Sequence, residues 1–226
     1  MNIHLNYYEQ GTGHPLILLH GNGEDMMYFR HQVDVFSRYF RVFAVETRGH
    51  GRSPRGQAPF TIRQFSDDLY NFMNEHQIHR AHILGYSDGG NIAMCFAIQH
   101  PERVDKLILN GANLYPMGVK LDAQIPITLD YYKTKLFGKR SEENLYKTEM
   151  LGLMVKDPYI KGRDLKRLSM DTLVIAGTDD LIRRSHTEKI AKLIPNAQLS
   201  FIDGGHAVAY ENPNAFNNAV LHFLLN

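Results

Sequence analysis

Sulfur, surplus charge and long hydrophobic runs are all scarce in this chain, and each scarcity removes a class of protein. A single cysteine, Cys95, forbids an intramolecular disulfide and any thiolate metal cluster. It lies in the apolar run Ile92–Ile98, where a thiol is buried and inert rather than reactive. Charge is nearly balanced, with 25 Lys and Arg against 24 Asp and Glu, so no global field draws nucleic acid or an anionic membrane. No window approaches the roughly 18 apolar residues of a membrane span. The start, Met1–Tyr7, lacks the basic and apolar regions of a secretory signal, so the expectation is a cytoplasmic protein. HExxH, CxxC and GxxxxGK[ST] are missing, so neither a metal nor a nucleotide cofactor is expected. His76, His79 and His82 span a helix end and a strand start, which points to structural or surface roles rather than a shared metal. There is no repeat, low-complexity tract or linker, and 226 residues with 43% apolar content suit one domain with a sizeable core.

What is present is an alternation. Short apolar runs at Pro15–His20, Arg41–Glu46, His82–Gly85, Lys106–Asn110, Thr172–Ala176 and Ala197–Ile202 each end at turn residues. Near-continuous apolar runs of this length fit strands buried on both faces of a parallel sheet. Between them, Thr61–His76, Gly89–Gln99, His186–Leu193 and Pro213–Leu225 carry helical spacing. The expected architecture is therefore α/β, a doubly wound and mostly parallel sheet, whose ligands bind beyond the carboxyl ends of the strands. The alternation is interrupted between residues 114 and 168, where helices are expected at Ile127–Leu136 and Ser141–Val155, the latter capped by Ser141. Such an insertion reads as a helical lid within a single domain spanning 1–226. It carries 11 Lys and Arg against 7 Asp and Glu.

The residues that could do chemistry follow the strands. Gly85-Tyr86-Ser87-Asp88-Gly89-Gly90 ends an apolar strand and opens an apolar helix. A serine on so sharp a turn is lifted clear of the sheet, and the small residues two positions either side relieve the crowding. The helix N-terminus behind it favours developing negative charge. Acyl transfer also needs two preorganised N–H donors for an oxyanion. Asp88, directly after the serine, supplies one candidate, and Asn22 in His20-Gly21-Asn22-Gly23 the other, with His20 orienting that loop. A nucleophilic serine needs a base. Among twelve histidines His206 stands out, in a small-residue turn after a late strand, Asp203-Gly204-Gly205-His206-Ala207; His50 is the main competitor. The base needs a carboxylate to fix its tautomer, and Asp179 and Asp180 both follow the Thr172–Ala176 strand, with Asp180 preferred.

The order Ser87, Asp180, His206 and the motifs His20-Gly21, Glu46–Ser53, Gly85–Gly90, Gly177–Asp180 and Gly204–His206 resemble the α/β-hydrolase superfamily over nearly the whole chain. In that family the acid is usually the third residue after the strand-end glycine, here Asp180, and Glu46 stands where aspartate is more common. The resemblance implies that the weak Ile3–Tyr8 segment supplies the first strand of the sheet, with a truncated N-terminal edge. It also implies a serine hydrolase cleaving a small ester or thioester through an acyl-enzyme, acting on a small molecule as a monomer or weak homo-oligomer. The nucleophile stretch is similar to that of the biphenyl-hydrolase-like, valacyclovir-hydrolase subgroup, in which the aspartate beside the serine is thought to favour amino-group substrates. Asp88, with Tyr86 beside it, is thus a candidate substrate-binding residue able to pair with an ammonium, unless its carboxylate only complements its helix terminus. The basic lid suggests an anionic substrate instead, as for triad-based C–C hydrolases or lyases resembling the menaquinone-pathway synthases. A third possibility is a ligand-sensing regulatory module on the same fold.

Overall fold

The computed structural model describes residues 3–138 and 141–226. Met1 and Asn2 of the leader reading, and Lys139 and Arg140 of the 114–168 segment, lie outside the described residues. Within the described residues seven strands run in chain order β1 Tyr7–Gln10, β2 Pro15–Leu19, β3 Arg41–Val45, β4 Ala81–Tyr86, β5 Val104–Asn110, β6 Asp171–Gly177 and β7 Ala197–Ile202. Among the described residues nine α-helices accompany them: α1 Arg30–Phe36, α2 Ile62–Glu75, α3 Asp88–Gln99, α4 Leu121–Phe137, α5 Glu142–Lys156, α6 Gly162–Leu165, α7 Arg184–Leu193, α8 Val208–Glu211 and α9 Pro213–Leu225.

The sheet order is β1-β3-β2-β4-β5-β6-β7, parallel except for β1, which pairs antiparallel with β3. Apolar runs become strands because both faces are covered. Ile17, Leu19, Phe43, Ile83, Leu107 and Leu109 face the side packed by α2 and α3. Leu16, Leu18, Val42, Leu84, Ile108 and Ile175 face the side packed by α1 and α9. The period-two alternation thus sends successive side chains of one run into two separate cores. From β2 the chain winds one way to β3 and the other way through β4, so a crevice opens at the carboxyl ends of β2 and β4.

Two expectations need correction, and one helix, α1, had no counterpart among them. The first strand is Tyr7–Gln10 rather than Ile3–Tyr8, with Leu5 ahead of it already in the core. α1 carries only two core apolar positions, Val33 and Phe36, and so short a stripe is hard to see without its neighbours. α4 starts at Leu121 rather than Ile127, running through Pro126, which costs one backbone hydrogen bond at an exposed position. Thr61 and Ser141 cap α2 and α5, their hydroxyls accepting from Gln64 N–H (3.1 Å) and Asn144 N–H (3.3 Å).

One buried ion pair holds the loop after β3. Arg48 donates to Asp68 of α2 in bidentate fashion, at 2.7 and 2.6 Å, with side chains 1% and 3% exposed. Asp68→Ala should leave the guanidinium buried without its partner and cost about 3–5 kcal/mol in urea unfolding, whereas an Arg48→Met/Asp68→Leu double variant should regain most of that loss.

Candidate active site

Ser87 sits where β4 meets α3 at φ +53°, ψ −119°, a conformation L-residues rarely adopt. It is held by the strand edge on one side and the helix on the other. Its N–H donates to Asn110 O at 2.8 Å, and its carbonyl accepts from Asn91 N–H at 3.0 Å. The turn is so tight that a Cβ on Gly85 would come within 2.1 Å of Gly89 O, and one on Gly89 within 2.1 Å of Leu19 O. Small residues there are a steric requirement of bringing β4 and α3 against β2.

The ladder between β6 and β7 continues past both strands: Thr178 N–H donates to Ile202 O at 2.9 Å and Asp179 N–H to Gly204 O at 3.0 Å. That continuation brings the loops after the two strands side by side. Asp180 is 3% exposed, and its Oδ1 accepts from Ile182 N–H at 2.8 Å and from His206 Nδ1 at 2.7 Å. His206 Nε2 lies 3.0 Å from Ser87 Oγ. With the proton on Nδ1, Nε2 is the acceptor for the serine hydroxyl. Gly111, at φ +61°, leaves room for the ring, since a Cβ there would meet His206 Cε1 at 2.8 Å. Asp179 points outward and pairs with Lys120 at 2.9 Å. His50 is buried and bonded within its own loop to Arg48 O (3.0 Å) and Thr47 Oγ1 (3.1 Å). His20 is likewise internal, with Nδ1 donating to Gly21 O and Nε2 accepting from Thr47 N–H. Burial, then the nearby His50, pushes its pKa down to about 3, so it stays neutral.

Ser87 and His206 open on a cavity of about 170 Å³ beyond the ends of β2 and β4. Val119, Ile127, Met154, Leu181 and Ile182 form its apolar wall, with α4 and α5 contributing Gln124, Ile127 and Met154. Asn22, Tyr86 and Asp88 all line it. The N–H groups of Asn22 and Asp88 have no hydrogen-bond partner among the described residues. The Asn22 amide donates to Met150 O at 2.8 Å, which ties the loop after β2 to α5. Tyr86 stacks on Tyr28 with ring centroids 4.1 Å apart and lies 5.1 Å from the His206 ring.

Sequence reasoning missed two further wall residues, Glu24 and Asp157, which join Asp88 as a third and second carboxylate of the cavity. Among the described residues no Lys or Arg lines it, so the described basic residues of the 114–168 segment lie elsewhere. Glu24 is only one residue beyond the motif His20–Gly23, whereas nothing local marks Asp157. Burial raises the pKa of all three. For Asp88 burial is opposed by the Asn91 amide donating to Oδ1 (3.0 Å) and reinforced by the Asp157 charge, leaving its pKa at about 6. Asp88 Oδ2 and Glu24 Oε2 are buried without a hydrogen-bond partner.

Residues 14–139 match the family described as alpha/beta hydrolase fold. The chain belongs to the α/β-hydrolase family. It is 30% identical over 244 residues, 92% of this chain and 90% of the relative, to a Caulobacter sp. (strain K31) protein named carbamate hydrolase RutD. It is 28% identical to the 2-hydroxy-6-oxononadienedioate/2-hydroxy-6-oxononatrienedioate hydrolase of Burkholderia vietnamiensis, covering 98% of this chain and 91% of that one. Among solved structures the enol-lactonase of Burkholderia xenovorans LB400 superposes with TM-score 0.83 over 98% of this chain and 96% of that one, at 22% identity, a likeness of fold. The α/β-hydrolase chain described here is thus a hydrolase in fold and kinship, and no helix among its described residues is long and apolar enough to cross a membrane.

The Asp88 carboxylate has a stability consequence. Its folded pKa of about 6 lies above the ordinary 3.8, so the folded state holds the proton more tightly and loses stability as pH rises from about 4 through 6. Asp88→Asn should therefore stabilise the fold at pH 8, by about 1–3 kcal/mol in urea unfolding, with the gain fading below pH 4.

Proposed function

We propose that this α/β-hydrolase cleaves a small ester or thioester by a two-step acyl-enzyme route. Ser87 Oγ attacks the carbonyl carbon while His206 Nε2 takes its proton. Asp180 holds the ring by Nδ1 and stabilises the imidazolium, and the N–H groups of Asn22 and Asp88 receive the oxyanion. His206 returns the proton to the leaving group. It then deprotonates a water that attacks the acyl-enzyme and releases the acid. The observation that carries this reading is the Ser87–His206–Asp180 chain of hydrogen bonds, 3.0 and 2.7 Å, on a serine strained at the end of a parallel strand. Closing helices α4 and α5 over the cavity act as its lid and exclude water from the reacting carbonyl.

The cavity charge supports a substrate that carries an ammonium near the scissile carbonyl. Three carboxylates line the wall, no Lys or Arg among the described residues answers them, and two of their oxygens are buried without a partner. An ammonium would satisfy Asp88 with a charge-assisted bond, while Tyr86 gives the substrate an aromatic wall. A C–C hydrolase reading has one support, the likeness to the dienedioate hydrolase. A dioate would meet these carboxylates with no lining Lys or Arg among the described residues to balance its charge.

Ser87→Ala should lower p-nitrophenyl ester hydrolysis at least about a thousandfold and abolish labelling by a fluorophosphonate; turnover at the wild-type rate would sink the assignment. With alanine p-nitrophenyl ester and its uncharged propionate analogue, kcat/KM for the cationic ester should rise relative to the neutral one between pH 5 and 7, as Asp88 ionises through about 6. Asp88→Asn should remove about ten- to a hundredfold of that preference; an equal loss on both esters would leave the carboxylate without a role in recognition.

A further inference from the structure

At the opposite end of the sheet a second cluster has no part in this chemistry. His14 immediately precedes β2, His82 is the second residue of β4 and Asp105 the second of β5. These strands are parallel, so all three residues stand at amino ends while Ser87 stands at a carboxyl end. Ser87 lies five residue steps along the chain from His82, roughly 16 Å of strand rise.

Sheet register brings the three together. His82 pairs with Leu16, so His14, two residues earlier, projects from the same face. On the other side Ala81 pairs with Val104 but Ile83 with Leu107. β5 therefore fits two residues, Asp105 and Lys106, opposite the single His82. Such a bulge re-aims a side chain out of the regular alternation. The result is that one ligand atom from each of His14, His82 and Asp105 lies within 4.8 Å of the others, and no other set of three or more such groups does so among the described residues.

We infer that His14, His82 and Asp105 form a binding site for one divalent transition metal, Zn²⁺ or a similar borderline ion. Two imidazoles and one carboxylate are the donor set such ions prefer, and water fills the remaining position. His14 Nε2 already lies 2.6 Å from Asp105 Oδ2, and the His14 and His82 ring centroids are 4.5 Å apart. Bonds of about 2.0–2.2 Å need the ligand atoms a little over 3 Å from one another, within reach of side-chain rotation. The metal takes the place of the proton that His14 shares with Asp105, and that proton leaves to solvent. His82 is 9% exposed and its Nδ1 is buried without a hydrogen-bond partner, while Phe40 packs against the ring with centroids 5.5 Å apart.

The surrounding charges are already committed. Arg80 Nε holds the other Asp105 oxygen, Oδ1, at 2.7 Å, which orients the carboxylate and leaves Oδ2 for the ion. Lys106 turns away, its Nζ donating to Phe223 O and Leu224 O at 2.9 and 3.3 Å on α9. Bound metal would staple the amino ends of β2, β4 and β5 and stabilise the folded state without touching the cavity.

The test is calorimetric titration of the chelator-treated full chain with Zn²⁺, with Co²⁺ absorption as a report of coordination and Mg²⁺ as control. One Zn²⁺ per chain, the visible band of four-coordinate Co²⁺, and a Zn²⁺-dependent rise in Tm are expected. His14→Ala, at a partly exposed position, and Asp105→Asn should each weaken Zn²⁺ binding at least tenfold and erase the Tm rise, with ester hydrolysis unchanged. His4→Ala and His31→Ala should change nothing. Absence of stoichiometric Zn²⁺ binding, or binding that survives both His14→Ala and Asp105→Asn, would overturn the assignment.

Discussion

The steric compression at Ser87 is the constraint on which the rest of the structure depends. The turn from β4 into α3 holds the Ser87 N–H on Asn110 O of β5, and it brings Gly89 against the carbonyls of Leu19 and His20 at the end of β2. A left-handed serine survives there because three strands and the central helix fix the residues on either side of it. The same crossing sets the helix N-terminus behind the hydroxyl and leaves the N–H of Asp88 free of an intrahelical partner. Everything else at the carboxyl end of the sheet is arranged around that one displaced side chain.

The parallel sheet distributes work between its two ends. At the carboxyl ends, loops after β2, β4, β6 and β7 converge because the strands are in register and the strand order reverses at β2. The loop after β6 contributes Asp180, the loop after β7 His206, and the gap at Gly111 lets the ring pass. At the amino ends the register is broken once, by the bulge in β5, and polar residues gather there too. The two clusters share strands but not side chains.

Charge within the cavity runs against the charge of its cover. The segment from 114 to 168 is basic in sum, yet the surface it shares with Ser87 is lined by apolar residues, Gln124 and Asp157. Net charge of a segment says how many cations it has, and only packing says which way they face. Glu24 and Asp157 come from loops far apart in the chain, at the end of β2 and the end of α5, and burial raises the pKa of each. The acidity of the pocket is therefore a property of the assembled wall.

Much of the fold was legible in the chain itself. The apolar runs bounded by glycine, the helical stripe after Thr61 and the Gly85–Gly90 turn are local patterns whose physics is complete within about ten residues. α1 and the start of α4 were not, since their apolar stripes are short or interrupted by Pro126 and owe their stability to packing. Sequence order brought forward Ser87, Asp180 and His206, and position after a strand was the signal in each case. Which of Asp179 and Asp180 turns inward was decided by the loop geometry after β6, with Asp180 turned toward His206 and Asp179 facing Lys120 in solvent. The approach of His14 to His82 and Asp105 lay wholly beyond the sequence, because it depends on strand register and on one residue of slip in β5. Local backbone preference and hydrophobic period are written along the chain; which distant side chains meet is set by how the strands are aligned once their faces are buried.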